Sequence, residues 1–152
     1  MLPKELEHLK DTQNELDDRK IDIDRVGVRS LRYPMRIRDK AHAEQHTIAS
    51  ASLTVDLPRQ FKGTHMSRFV EALNACGPEL HIDKVRELLE MLTARLASEC
   101  AHVDFEFPFF IEKAAPVTGK PGLVDYNVRF SATLQRGVFD FVTTVIVPVA
   151  TL

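Results

Sequence analysis

QHTIASASLTVDLPRQFKGTHMSRF, residues Gln45 to Phe69, changes its period halfway along. In the first half Ala49, Ala51, Leu53, Val55 and Leu57 alternate with Ser50, Ser52, Thr54 and Asp56. A period of two is the mark of a strand with one buried face. Pro58 has no N–H to give a ladder, so the strand is expected to end there. From Met66 onward Met66, Phe69, Val70 and Leu73 fall at helical spacing, and Gly77-Pro78 supplies a stop.

The join between strand and helix, Phe61-Lys-Gly-Thr-His-Met-Ser-Arg68, carries unusual charge. Thr64 is the candidate N-cap, and Gly63 lets the backbone turn tightly. The first turn of a helix offers free N–H groups and a partial positive charge, which favour an anion. Lys62, His65 and Arg68 add positive charge at that same place, against the dipole. A bound phosphate would supply the missing negative charge. The alternative is a solvated basic turn balanced by Asp56 or Glu71.

A chain of 152 residues with 44% apolar content can bury one core and reads as one domain. Its net charge of −2 and pI near 6.3 speak against a general nucleic-acid or membrane-surface binder. Cys76 and Cys100 lack the spacing of a zinc knuckle or a disulfide framework, and suggest a reduced, cytoplasmic setting. No apolar run approaches the roughly 20 residues of a spanning helix. The N-terminus has no apolar core of a signal peptide.

Met1 to Lys20 is mostly charged and is expected to form an arm, with the domain proper over residues 21–152. Asp17, Asp18, Asp22 and Asp24 lack the turn glycine and ligand spacing of a hard-cation loop, which leaves a solvated acidic segment. Ile21 to Ile37 reads as a strand with Leu31, Tyr33, Met35 and Ile37 on one face and Arg32, Pro34, Arg36 and Arg38 on the other. A phase shift near Gly27 and Ser30 suggests a bulge. The arginine face either lines a polar cavity or is simply wet.

Ile82, Val85, Leu88, Leu89, Leu92 and Leu96 form the apolar stripe of a second helix over His81 to Ser98, with Lys84, Arg86, Glu87 and Glu90 on a solvated face. The short Gly77-Pro78 connection implies that the two helices are antiparallel neighbours. Val103, Phe105, Phe107, Phe109 and Ile111 then alternate as a strand, and Pro108 marks a bulge or a sheet edge. Thr118 to Gly122 is a turn that lacks the frame of a phosphate loop. Leu123 to Gln135 alternates again, Arg136-Gly137 turns, and Phe139 to Val149 is a final strand. The order β-β-α-α-β-β-β implies an α+β domain, a pair of antiparallel helices on one face of an antiparallel sheet.

Asp22-x-Asp24-Arg-Val-Gly-Val28, Gln45-His46-Thr47, Val55-Asp-Leu-Pro58 and Phe61-Lys-Gly-Thr-His-Met-Ser-Arg-Phe69 resemble the type IB GTP cyclohydrolase I family, from about Asp11 onward. The resemblance implies a tunnelling-fold (T-fold) module, a two-helix insert on an antiparallel sheet. It implies hydrolytic opening of the GTP imidazole ring, loss of formate and formation of 7,8-dihydroneopterin triphosphate, the first step of tetrahydrofolate biosynthesis. It also implies a divalent metal, Zn or Mn, that activates water, and a homo-oligomeric ring with sites at subunit interfaces.

In that family the metal-binding cysteine lies in a Cys-Pro-Cys-like segment that would follow Leu152, with His and Glu partners in a second module. No catalytic residue and no metal ligand is therefore expected within this chain, which is expected to be inactive alone. Cys76 and Cys100 do not stand in for the missing cysteine. The related type IA enzymes hold substrate phosphate with a Ser-Lys-x-x-Arg turn, which the turn from Lys62 to Arg68 resembles. On that likeness Lys62, His65, Ser67 and Arg68 contact the triphosphate, with Gln45 and His46 as further substrate contacts. The competing assignment is that the motif locks the helix against a neighbouring subunit. The competing function is a non-catalytic module for oligomerisation or nucleotide binding.

Overall fold

The computed structural model describes residues 23–57 and 66–151. The N-terminal arm, Gly63, Thr64, Lys62 and His65 lie outside the described residues. The fold is α+β. Strand β1 (Ile23–Asp39) turns back into β2 (Ala43–Leu57), and α1 (Ser67–Cys76) follows. A two-residue strand β3 (Glu79–Leu80) separates it from α2 (Ile82–Arg95). The chain closes with β4 (Cys100–Ala114), β5 (Pro121–Gln135) and β6 (Val138–Ile146). The sheet order is β3-β1-β2-β4-β5-β6, antiparallel throughout except where β3 lies parallel to β1.

The alternation read in the sequence becomes rows across this sheet. Leu53 pairs with Val103 and Val103 with Ala132, and all three are buried. One residue along, Ser52 pairs with Asp104, Asp104 with Ser131 and Ser131 with Val142, on the opposite face. Phe69, Ala72, Leu73 and Cys76 of α1 and Val85, Leu88, Leu89 and Leu92 of α2 join the first face in one core. The helices cover the apolar face and the polar face stays open.

Four details depart from expectation. Strand β3 was not foreseen, because two residues in a parallel ladder carry no periodicity; Arg36 N donating to Pro78 O at 2.9 Å leads the chain into it. Met66 is exposed, and α1 turns Ala72 and Cys76 inward with Phe69 and Leu73. Ile82, the first residue of α2, projects before the helix meets the sheet and is exposed, as is Ile111 on the far part of β4. The fourth is at Arg86, which is exposed as its place on the solvated face implies, but whose guanidinium also lies 4.5 Å from the centre of the Phe139 ring, a cation–π contact with β6.

The expected irregularity of β1 is present. Its register against β2 shifts between Ile23 and Val26 and again between Val28 and Leu31, and Ser30 has φ 54°. Arg136 and Gly137 both have positive φ, as a two-residue turn of type I′ between β5 and β6 needs. Pro108 sits where β4 has lost its ladder to β2, which ends at Glu106, so the missing N–H costs no sheet bond there. No described helix is long and apolar enough to cross a membrane.

Candidate functional site

The helix start expected to hold phosphate is described from Met66. Met66 is already helical, at φ −62° and ψ −31°, so Ser67 and Arg68 fall in the first turn of α1. That turn contains no acid, and Met66 supplies no side-chain cap. Among the described residues neither an acid of that turn nor a Met66 side chain faces its N–H groups. Ser67 is exposed and Arg68 half-buried, while Phe69, the next residue, is fully buried and seats the turn on the core.

Gln45 and His46 lie elsewhere, at the β1–β2 hairpin end of the sheet. Gln45 is engaged on all sides. Its Oε1 accepts from Phe110 N at 2.7 Å, and its Nε2 donates to Phe110 O at 3.1 Å and to Asp39 Oδ2 at 3.1 Å. Thr47 Oγ1 beside it donates to Pro108 O at 3.1 Å. These side chains join β2 to β4 where the backbone ladder has ended, a role invisible in the sequence because the partners lie more than 60 residues away. His46 is 79% exposed and stands opposite Arg36 of β1. Among the described residues no hydrogen bond or ion pair links Gln45 or His46 to Ser67 or Arg68.

The carboxylates beside these elements are held ionised. Asp39 Oδ1 accepts from Ala41 N at 3.0 Å, and His42 Nδ1 lies 3.1 Å from Oδ2. The Ala41 N–H, then His42 and Gln45, hold the Asp39 carboxyl below its ordinary 3.8. Asn127 Nδ2 donates to Glu106 Oε1 at 2.6 Å and Arg129 to Oε2 at 3.2 Å, which hold Glu106 below 4.5, the Asn127 bond more strongly. A carboxyl with a depressed folded pKa stabilises the fold above its unfolded pKa, and that contribution is lost as pH falls through the folded value. The melting temperature should therefore stay level from pH 7 to about 5 and fall below about pH 4.5. Asp39→Asn with Glu106→Gln should make that acid slope shallower; an unchanged slope would mean that other carboxylates carry it.

Among the described residues no three His, Cys, Asp or Glu side chains come together to hold a metal ion. Cys76 is buried with its thiol on Lys84 O at 3.2 Å, and Cys100 is buried beside Asp56. Burial is the main cause that pushes both thiols upward, away from the thiolate a metal requires. The described residues do not fit the divalent metal that the family resemblance implies. The turn Thr118 to Lys120 closes the β4–β5 hairpin, with Ala115 N donating to Lys120 O and Gly119 N to Ala115 O, both at 2.9 Å.

The sequence matches the family model described as "Type I GTP cyclohydrolase folE2" over residues 9–152. It is 54% identical over 149 residues to a protein of Akkermansia muciniphila named GTP cyclohydrolase FolE2, covering 97% of this chain and 56% of that protein. Proteins of the same name match from Geobacter sulfurreducens, 45% identical over 144 residues, and Methylobacillus flagellatus, 42% identical over 144 residues. Each of these two alignments covers 95% of this chain, and 55% and 54% of the respective relative. The chain spans about half the length of the curated relatives it matches. The description names type I and folE2 and does not carry the finer type IB label drawn from the motifs.

Proposed function

The chain belongs to the type I GTP cyclohydrolase folE2 family, and on that premise we propose that it acts in hydrolytic opening of the GTP imidazole ring. The products are formate and 7,8-dihydroneopterin triphosphate, at the entry to tetrahydrofolate synthesis. The observation that carries this is the match over residues 9–152, which includes the whole Lys62–Arg68 turn. In the proposal Lys62, His65, Ser67 and Arg68 hold the triphosphate, and the first turn of α1, which contains no acid, adds its N–H groups. His46 contacts substrate from the β1–β2 end, and Gln45 acts there by tying β2 to β4.

The described side chains bind and orient; no bond-breaking step is assigned to them. The requirement for Zn or Mn, the T-fold architecture, assembly into a homo-oligomeric ring with sites between subunits, and a cytoplasmic setting belong to the same proposal. So does the placement of the metal ligands outside residues 1–152, with no turnover by those residues alone. A second function, a nucleotide-binding or oligomerisation module without turnover, draws on β6. That edge strand exposes Val142, Val145 and Ile146.

Formate release from GTP, measured with the full-length polypeptide and added Zn²⁺ or Mn²⁺, tests the proposal. Chelation should abolish it, and absence of turnover under every metal condition would leave the second function. Arg68→Ala should raise KM for GTP roughly tenfold or more, since a hydrogen bond to a charged group contributes about 1.5–3 kcal/mol. Its melting temperature should move little. An unchanged GTP affinity would remove Arg68 from phosphate binding.

A further inference from the structure

The open face of the sheet carries an arginine cluster that the triphosphate turn does not use. Across the irregular part of β1, Arg25, Gly27 and Arg29 line one polar concavity with Ser30, Ser52, Thr54, Asp104 and Arg129. Two features of the strand build it. The shift between Ile23 and Val26 and the shift between Val28 and Leu31 bracket these residues, so Arg25 and Arg29 both face the concavity while Leu31 returns to packing on the core. At Gly27 the backbone of β2 approaches so closely that no side chain fits. The Ser30 N–H turns to Ser52 Oγ at 3.3 Å.

The charges on the surrounding strands are mostly matched already. Glu106 of β4 is joined to Arg129 of β5 at 3.2 Å, and Asp104 accepts from Ser131 Oγ at 2.6 Å. Asp56 at the end of β2 faces His102 Nε2 at 3.0 Å. Among the described residues Asp104 is the one acid lining the concavity, against the guanidiniums of Arg25, Arg29 and Arg129. Of the arginines singled out in the sequence, Arg32 is not part of it, and neither are Arg36 and Arg38. The latter two line a separate hollow with Glu44, Glu79 and His81, where Arg36 lies 3.6 Å from Glu44 and 3.5 Å from Glu79.

We propose that the Arg25–Arg29 concavity binds a phosphate-class oxyanion, inorganic phosphate or the phosphate tail of a nucleotide, on the face of the sheet opposite the helices. Planar guanidinium forks suit phosphate oxygens, and the hydroxyls of Ser30, Ser52 and Thr54 can donate further bonds. The overall charge of −2 disfavours an extended nucleic acid as occupant. This site is separate from the helix start, because α1 packs on the other face.

Calorimetric titration of the full chain with inorganic phosphate and with tripolyphosphate, at matched chloride ionic strength, tests it. The Arg68→Ala background weakens the contribution of the helix start, and the variants below separate what is left of it from the concavity. Saturable binding by inorganic phosphate identifies the free ion as sufficient, and binding by tripolyphosphate alone identifies a nucleotide tail; either supports the site. The double variant R25Q/R29Q should weaken that binding at least tenfold. Ser52→Asp, which keeps an acceptor for Ser30 N and adds a negative charge, should do the same and guards against misfolding of the double variant. Binding unchanged in both variants, or no binding by either anion in the Arg68→Ala protein, would overturn the proposal. The readout is binding, so loss of the cyclohydrolase assignment would leave it untouched.

Discussion

Gly27→Ala should destabilise the protein by about 3 kcal/mol or more, the upper range for forcing atoms into a packed interior. A Cβ at this position would stand 1.9 Å from Leu53 O and 2.7 Å from Thr54 Cα. Both obstacles are backbone atoms of β2, so no rotamer change relieves the overlap, and the β1–β2 ladder must move. The φ of Gly27 is not in the left-handed region, so the cost is one of space and not of conformation. For a chain of this size about 3 kcal/mol corresponds to roughly 6–12 °C in melting temperature. Gly122→Ala is the control. Its nearest obstacle is Lys113 O at 3.9 Å, an ordinary contact, and it should shift stability by less than about 1 kcal/mol. A Gly27→Ala protein that melts with the wild type would mean that β1 does not approach β2 as described. The same variant should disturb the Arg25–Arg29 concavity, since Gly27 forms part of its lining.

Alternation was enough to read most of the sheet, because burial on one face imposes it residue by residue. Ala49 to Val55, Val103 to Phe107 and Tyr126 to Leu134 each turned the expected side inward. The bulge near Ser30 was legible as a break in phase, and Gly77 as a helix stop, which it is with φ 87°. Periodicity failed where contact depends on distant chain. Nothing local reveals that Glu79 and Leu80 pair with Arg36 and Ile37, or that the Gln45 amide replaces a ladder between β2 and β4. Arg86 is the surface charge it looked like, but its contact with Phe139 was not legible, because that ring is 53 positions away on β6. For the site, the rare Lys-Gly-Thr-His-Met-Ser-Arg-Phe string pointed to the family, and no period or spacing did so. The structure describes only the Met66–Phe69 end of that string, so the charge argument for the turn rests on Arg68 and a first helical turn that contains no acid.

Phe69→Ala should cost about 3–5 kcal/mol, the range for deleting a buried aromatic ring, and lower the melting temperature by roughly 6–20 °C. Phe69 is 0% exposed, among the largest fully buried side chains, and lies one residue after Arg68 at the head of α1. The cavity would open between α1 and the sheet, in a core whose residues come from both helices and five strands and have little room to collapse. Phe69→Leu, closer in volume, should cost less than about 1.5 kcal/mol. The comparison with Arg68→Ala separates seating from binding at adjacent positions. If Phe69 anchors the turn and Arg68 holds the anion, Phe69→Ala moves melting temperature strongly, while Arg68→Ala moves KM for GTP and leaves melting temperature nearly alone. A Phe69→Ala protein within about 1 kcal/mol of wild type would mean that the head of α1 is not seated on this core, and the first turn would then lose its place in the phosphate argument.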